Sequence, residues 1–395
     1  MSLLMVTSMC MFWTAVPADQ APPPDTARSV YQRWEHGLPN DPGFFPVAVW
    51  LQAPRNAKRF QAAGINLYVG LWNGPTEEQL AALKEAGMPV ICDQNRVGLT
   101  SPHADVIVGW MHGDEPDNAQ ARRGGNGYDP PILPSRIEAD YREIQQRDAT
   151  RPVLLNLGQG VAYDHWIGRG VRTNHPEDYA EYVKGCDIVS FDIYPVVHDR
   201  EEVAGKLEFG PLGVERLRHW TRAEKIVWNC IECSRISNTQ VKPTAEQIRA
   251  EVWMSLIHGS RGLIYFVHQF EPSFQEASLL EDAELLAGVT AINQQIHELA
   301  PALNSPTVDD AVQVTSSPTA VPIATLCKHH DGATYLFAAC MRNQPAQATI
   351  EWRDASPDMA AQVLGENRSI PLQNGRFQDD FGPYGVHLYR VQKDQ

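Results

Sequence analysis

Strand-like runs of apolar residues alternate with amphipathic helical stretches along the middle of the chain. From Phe44 to Ser305, eight such runs alternate with helical stretches. This alternation is typical of a parallel sheet built from βα units, and eight repeats in about 260 residues match the length of a closed (β/α)8 barrel. The predicted strands are Phe45 to Gln52, Ile65 to Trp72, Pro89 to Gln94, Val106 to His112, Pro152 to Leu157, Asp187 to Tyr194, Lys225 to Ile231 and Gly262 to His268.

After Pro306 the pattern changes to short segments that alternate apolar and polar residues. Asp331-Gly332 lies between two of these segments, and this dipeptide is a strong signal for a β-hairpin. The predicted fold class is therefore α/β, a (β/α)8 TIM barrel over residues 44–305 with a small C-terminal antiparallel β-sandwich domain over residues 306–395. An N-terminal segment, residues 19–43, precedes the barrel.

The first 18 residues, Met1 to Ala18, contain no charged side chain and include an apolar run from Leu3 to Val16. This composition predicts a secretory signal peptide cut near Ala18, although the usual positive charges at its start are missing. A hydrophobic N-terminal strand or anchor is the alternative. No second apolar stretch is long enough to span a bilayer, so we expect a secreted or periplasmic protein without a stable membrane span.

Charge and cysteine content narrow the classes of partner and chemistry. The net charge is −15, and no run of basic residues is long enough to follow a phosphate backbone, so we expect no nucleic-acid partner. Six cysteines follow Cys10, but their spacing fixes no disulfide connectivity. Cys230 and Cys233 lie within a strand pattern and are better explained as buried thiols than as a redox or zinc site.

Two glutamates end predicted strands of the barrel. Glu115, in Gly-Trp-Met-His-Gly-Asp-Glu-Pro, ends the fourth strand, and Glu232, in Trp-Asn-Cys-Ile-Glu, ends the seventh. Catalytic residues of (β/α)8 enzymes gather at the C-terminal ends of the strands. Retaining cleavage of a glycosidic bond needs a carboxylic acid and a carboxylate nucleophile about 5 to 5.5 Å apart. Glu115 and Glu232 are therefore the predicted catalytic pair.

Glutamates at the ends of strands four and seven resemble those of the clan A retaining glycoside hydrolases. The resemblance implies that Glu115 is the acid/base and Glu232 the nucleophile. It also implies that Tyr194, at the end of strand six, donates a hydrogen bond to Glu232. Asp114 stands where the clan usually has asparagine. An ionised aspartate can accept a hydrogen bond from a sugar hydroxyl but cannot donate one to it. The charge of Asp114 would also help to keep the pKa of Glu115 high.

Other side chains near strand ends are candidates for binding the substrate. Neutral hydrogen-bonding groups there can contact sugar hydroxyls without adding charge beside the carboxylates, and a tryptophan can stack on a pyranose face. The predicted substrate-binding residues are Asp114, Tyr194, His112, Gln94, Asn156, His268 and Trp72.

These patterns predict a secreted retaining β-glycoside hydrolase that acts on a polysaccharide or oligosaccharide. One alternative is a carbohydrate-binding barrel that has lost turnover, and a weaker one is a metal-dependent hydrolase using Asp114, Glu115 and Asp117. The sequence contains no His-Glu-x-x-His, Gly-x-Ser-x-Gly or Walker A motif. We therefore expect a carbohydrate substrate, no cofactor and no metal.

Overall fold

The computed structural model describes residues 30–122, 124–353 and 359–392. The predicted signal peptide, Met1 to Ala18, lies outside these residues. Within them, no helix combines the length and the apolar character needed to cross a membrane.

Eight parallel strands form a closed barrel. The seventh strand, β7, is interrupted at Trp228: its first piece pairs with β6 and its second piece pairs with β8. Because β8 also pairs with β1, the ring of strands is complete. The predicted barrel is confirmed, with strands slightly shorter than the apolar runs. They are β1 (Val47–Trp50), β2 (Leu67–Val69), β3 (Val90–Asp93), β4 (Ile107–Met111), β5 (Val153–Leu157), β6 (Ile188–Phe191), β7 (Ile226–Val227 and Asn229–Glu232) and β8 (Leu263–Phe266).

Helices cover the outside of the barrel and follow the sequence signals for helix ends. Thr76 and Thr244 each form a capping box with the glutamine three residues later, and Gly87 ends its helix with a left-handed φ of 69°. The helices are α1 (Ala57–Ala62), α2 (Glu77–Ala86), α3 (Arg96–Thr100), α4 (Pro134–Arg147), α5 (Tyr179–Tyr182), α6 (Phe209–Trp220), α7 (Ala245–Ile257), α8 (Ser278–Glu281) and α9 (Ala283–Leu303).

Two antiparallel sheets with a shared apolar core follow the barrel, as predicted. The hairpin at Asp331 and Gly332 is present, with both residues at positive φ (48° and 70°). The sequence patterns missed β13, β14 and β15, which are short or rich in polar residues. The three-stranded sheet contains β9 (Val312–Ser317), β12 (Ala346–Trp352) and β15 (Arg376–Phe381), and the five-stranded sheet contains β10 (Ile323–His330), β11 (Ala333–Cys340), β13 (Ala360–Val363), β14 (Arg368–Pro371) and β16 (Val386–Gln392).

The C-terminal sandwich packs against helices on the outside of the barrel. The rings of Trp253, on α7, and Phe337, on β11, have centroids 5.3 Å apart. Arg249, also on α7, donates to the backbone carbonyl of Val386 at 3.0 Å. The six described cysteines are all buried with free thiols, so disulfides do not hold this part of the chain together.

Candidate active site

Glu115 lies just after β4 in a backbone conformation that is unusual for its residue type. Its φ is 43°, in the left-handed region, which costs a non-glycine residue about 1 kcal/mol or more and is concentrated at functional sites. Its carboxylate accepts a hydrogen bond from Asn118 Nδ2 at 2.8 Å, and Asn118 Oδ1 accepts one from the Trp166 indole at 3.0 Å. A chain of three side chains thus fixes the direction of this half-buried carboxyl group.

The carboxyl group of Asp192, which follows β6, lies beside that of Glu115. Burial, then the charges of Asp192 and Asp114, raise the pKa of Glu115 well above its usual value. Burial, and after it the charge of Asp114, raise the pKa of Asp192 to about 7. Two carboxyl groups in contact hold one proton between them because both cannot ionise cheaply. This pair therefore retains a proton near neutral pH.

Asp114 and Asn156 complete the acidic end of the barrel. Asn156 donates from Nδ2 to Asp114 at 2.9 Å and accepts from the Ser190 hydroxyl at 2.7 Å. The Asp114 residue is partly exposed to solvent, but the surrounding protein shields its carboxyl group from water. This desolvation, aided by the charge of Asp117 and opposed by Asn156, raises the pKa of Asp114 to about 6. As expected from the sequence, the Asp114 charge contributes to the high pKa of Glu115.

Glu232 is oriented differently from the prediction of a substrate-facing carboxylate. It is 0% exposed. Its two oxygens accept hydrogen bonds from the backbone N–H groups of Val196, at 2.6 Å, and Val197, at 3.0 Å. In this conformation the protein covers the carboxylate, and its bonds run to the loop after β6 rather than to Glu115.

A second carboxyl group, that of Glu251 on α7, lies against Glu232. Burial raises the pKa of Glu232 to about 7, while the two backbone N–H groups and the neighbouring Glu251 oppose the rise. Burial, then the charge of Glu232, raise the pKa of Glu251 well above its usual value. Glu251 Oε1 has no donor among the described residues, and a proton shared by the two carboxyl groups explains how this buried oxygen is tolerated.

Tyr194 contacts a different acidic residue from the predicted one. Its hydroxyl interacts with Asp192 and lowers the pKa of that residue, whereas the sequence predicted a hydrogen bond to Glu232. Burial, then the charge of Asp192, raise the pKa of Tyr194 well above its usual value. The phenol therefore stays protonated beside the Glu115–Asp192 pair.

Trp72 and His268, both predicted to bind substrate, lie against each other at the ends of β2 and β8. Their rings are stacked, with centroids 5.5 Å apart and planes 26° apart. His268 Nε2 lies 3.0 Å from the carbonyl oxygen of Leu51. Burial lowers the pKa of His268, so its ring is neutral at pH 7 and the stack adds no positive charge to the site.

His112 and Gln94 were predicted to bind substrate, but their side chains point to the helices outside the barrel. His112 Nε2 lies 2.7 Å from the carbonyl oxygen of Gly185, and Gln94 donates to that of Ile144, on α4, at 3.0 Å. Side chains alternate between the two faces of a strand. His112 shares the face of Trp110, whose indole donates to Asp148 after α4. A residue near a strand end can therefore be predicted to bind substrate only if its side chain also lies on the face of the strand that points into the barrel.

Asp192, Asn118, Ser190 and Glu251 belong to the site but were missed by the sequence patterns. Asp192 stands two residues before Tyr194, so the period of two along an extended segment was a signal that both share a face. Asn118 follows Glu115 by three residues, a spacing common in turns. Glu251 gave no usable signal, because a lone glutamate within a helical pattern is normally solvated.

The described residues contain no group of three or more His, Cys, Asp and Glu side chains placed to hold a metal ion. The acidic side chains Asp114, Glu115 and Asp192 instead form a cluster in which the charges of Asp114 and Asp192 raise the pKa of Glu115. This arrangement suits proton transfer.

No family model and no curated protein matches the chain. Solved structures with a related shape include an alpha-amylase from Anoxybacillus, at 9% identity and a TM-score of 0.47, covering 90% of this chain and 100% of that one. A GH30 endoxylanase from Clostridium papyrosolvens C71 has 10% identity and a TM-score of 0.46, with coverage of 89% and 96%. A maltogenic alpha-amylase from Thermotoga neapolitana has 9% identity and a TM-score of 0.49, with coverage of 89% and 99%. Similarity at this level does not show which activity the chain has.

Proposed function

We propose that the protein is a glycoside hydrolase whose general acid is Glu115. The observation that carries the proposal is the carboxyl pair of Glu115 and Asp192 at the C-terminal end of the barrel, where burial and mutual repulsion keep a proton on the pair. Protonating the leaving oxygen requires an acid that still carries its proton near the working pH. The left-handed backbone of Glu115 and its bond from Asn118 hold that acid in one direction.

The finer proposal is a retaining β-glycosidase with Glu232 as nucleophile. In the observed conformation Glu232 is covered by Val196 and Val197, so attack on a sugar requires this segment to release the carboxylate. Asp192 is the competing candidate. A retaining pair stands about 5 to 5.5 Å apart, with the glycosidic carbon between the two carboxyl groups. The carboxyl group of Asp192 instead lies directly beside that of Glu115, which favours a role for Asp192 in tuning the acid.

A polysaccharide or oligosaccharide is the proposed substrate, and we propose that the protein is secreted after cleavage near Ala18. The N-terminal residue of the protein recovered from the growth medium tests the second statement. Protein that stays in the cells with Met1 intact would contradict it.

A carbohydrate-binding barrel without turnover is the second candidate, and the full burial of Glu232 favours it. Screening wild-type protein against neutral polysaccharides separates the two functions. The hydrolase releases new reducing ends from at least one polymer that it binds, whereas the binding protein releases none. Hydrolysis measured after exhaustive chelation of metal ions tests the third candidate, a metal-dependent hydrolase. Activity that persists after chelation would exclude that candidate.

A further inference from the structure

A continuous row of aromatic rings runs outward from the proposed acid. It begins at Tyr194, beside Asp192, and continues to Phe266 at a centroid distance of 5.2 Å and then to His268 at 5.2 Å. From His268 the row reaches Trp72 at 5.5 Å and Phe274 at 5.8 Å. Phe270 lies 5.7 Å from Phe274. We call these six side chains, Tyr194, Phe266, His268, Trp72, Phe274 and Phe270, the aromatic row.

The outer rings of the row are unusually exposed for their size. Trp72 is 40% exposed, Phe270 47% and Phe274 55%. Isolated exposed apolar side chains need no explanation, but a contiguous exposed group usually marks a binding surface. Here the exposed rings adjoin the buried rings that lead to the carboxyl groups of Glu115 and Asp192. A ligand bound on the exposed rings would therefore extend toward the proposed general acid.

Several hydrogen bonds hold the outer rings in place. The Trp72 indole donates to Glu276 Oε1 at 2.9 Å, and the same oxygen accepts from the backbone N–H of Ala53 at 2.7 Å. Phe270 and Phe274 lie on a loop closed by reciprocal backbone hydrogen bonds between Gln269 and Gln275, at 3.0 and 2.9 Å. A surface ordered before binding loses little conformational entropy when a ligand arrives.

The charges around the row limit the kind of ligand it can take. Asp114, Glu115 and Asp192 lie at its inner end, and the whole chain carries a net charge of −15. A polyanionic chain such as a polyuronate or sulfated polymer would be repelled on approach by this net charge. An uncharged pyranose chain has no such penalty, and its apolar ring faces match aromatic side chains.

We infer that the aromatic row binds an extended, uncharged pyranose chain, so that the substrate is a neutral oligosaccharide or polysaccharide rather than a single glycoside. This inference rests on the proposed function for its link to cleavage. The binding it describes does not depend on turnover. The exposed rings of Trp72, Phe270 and Phe274 offer neighbouring sugar units successive stacking surfaces, more than a single sugar can use.

The test measures binding in a Glu115→Gln background, with neutral and anionic oligosaccharides titrated by calorimetry. Trp72→Ala, Phe270→Ala and Phe274→Ala change exposed side chains, and Tyr128→Ala changes an exposed aromatic outside the row as the matched control. Each row variant should weaken binding of a neutral chain about tenfold, the loss of roughly one stacking contact. The control should leave affinity unchanged. Equal affinity in all four variants, or tighter binding of the anionic chain, would overturn the inference.

The same variants with Glu115 intact separate this inference from the proposed function. They should lower kcat/KM about tenfold on a long neutral chain and by less on an aryl monoglycoside, which does not reach the outer rings. Tyr128→Ala should leave both values unchanged. If neutral chains bind through the aromatic row but are never hydrolysed, the inference about binding holds and the proposed glycosidase function is wrong. If all row variants hydrolyse long chains as fast as wild type, the inference about the row is wrong and the proposed function is unaffected.

Discussion

The carboxyl groups of Asp192 and Glu115 lie beside each other, where the end of the sixth barrel strand meets the end of the fourth. Each is half-buried, and a proton shared between them avoids two adjacent negative charges in a poorly solvated place. The contact explains how a glutamate, whose ordinary pKa is about 4.3, can act as an acid near neutral pH.

Replacing Asp192 with asparagine removes a negative neighbour from Glu115 and so lowers the pKa of Glu115. Because the acid must be protonated to act, the fall in kcat/KM at alkaline pH should move to lower pH. Asp114→Asn should move it in the same direction but less, since the Asp114 charge raises the pKa of Glu115 less than the Asp192 charge does. Profiles of kcat/KM against pH on one neutral substrate give both shifts. An alkaline limb that stays in place in Asp192→Asn would contradict the role assigned to Asp192.

Asn118 is expected to act as a positioning residue for Glu115. Asn118→Ala should lower kcat about 10- to 100-fold on natural substrates with little change in KM. Without Asn118, the Glu115 carboxyl group is no longer held toward the leaving oxygen, whereas the contacts that bind the substrate are unchanged. Trp166→Phe keeps a ring at position 166 but removes the donor to Asn118, and should give a smaller loss. Steady-state kinetics on both variants check the order. A rise in KM at constant kcat would assign Asn118 to substrate binding instead.

Azide added to variants distinguishes the two candidates for the nucleophile. In a retaining enzyme, a variant whose nucleophile is reduced to alanine leaves space for azide to attack an activated aryl glycoside directly and give a product of inverted configuration. We expect Glu232→Ala to be rescued in this way and Asp192→Ala not to be. NMR of the glycosyl azide shows the configuration. An inverted azide formed only by Asp192→Ala would transfer the nucleophilic role to Asp192.

The Glu232–Glu251 pair makes stability depend on pH. Burial raises both pKa values in the folded state, that of Glu232 to about 7, so the folded protein binds more protons than the unfolded chain between about pH 4.5 and pH 7. The free energy of unfolding should therefore fall as pH rises through this window.

Glu251→Gln removes one of these titrations, and its amide can donate to an ionised Glu232. The free energy of unfolding at pH 8 should then rise by roughly 1 to 3 kcal/mol relative to wild type, with a smaller difference at pH 5. Urea unfolding at both pH values measures the two differences. A variant that is destabilised equally at pH 5 and pH 8 would show that Glu251 contributes packing rather than a shared proton.

The sequence predicted the barrel well because each strand is a short apolar run and some of the following helices begin at recognisable capping residues, such as Thr76 and Thr244. It also placed Glu115 at a strand end. It could not predict that Glu232 would be covered by Val196 and Val197, since those contacts depend on how a loop after β6 folds over β7. The direction of His112 was likewise set by tertiary packing, here against the segment containing Gly185.

The aromatic row illustrates the same limit. Trp72 and His268 could be selected individually from strand ends, but 196 residues of chain separate them, and only the closure of the barrel between β8 and β1 brings their rings together. Phe270 and Phe274 lie in a loop whose exposure no local pattern reveals. Side chains that meet through barrel closure can be found only in the folded chain.

The most direct test of the central claim compares wild type with Glu115→Gln on two substrates of the same sugar: a neutral oligosaccharide and a dinitrophenyl glycoside. The sugar leaving group needs a proton and the dinitrophenolate does not. The variant should therefore lose about 10²- to 10⁴-fold in kcat on the oligosaccharide, while formation of the glycosyl-enzyme from the dinitrophenyl glycoside stays near the wild-type rate. Equal activity of the two proteins on the oligosaccharide would contradict the assignment of Glu115 as the general acid.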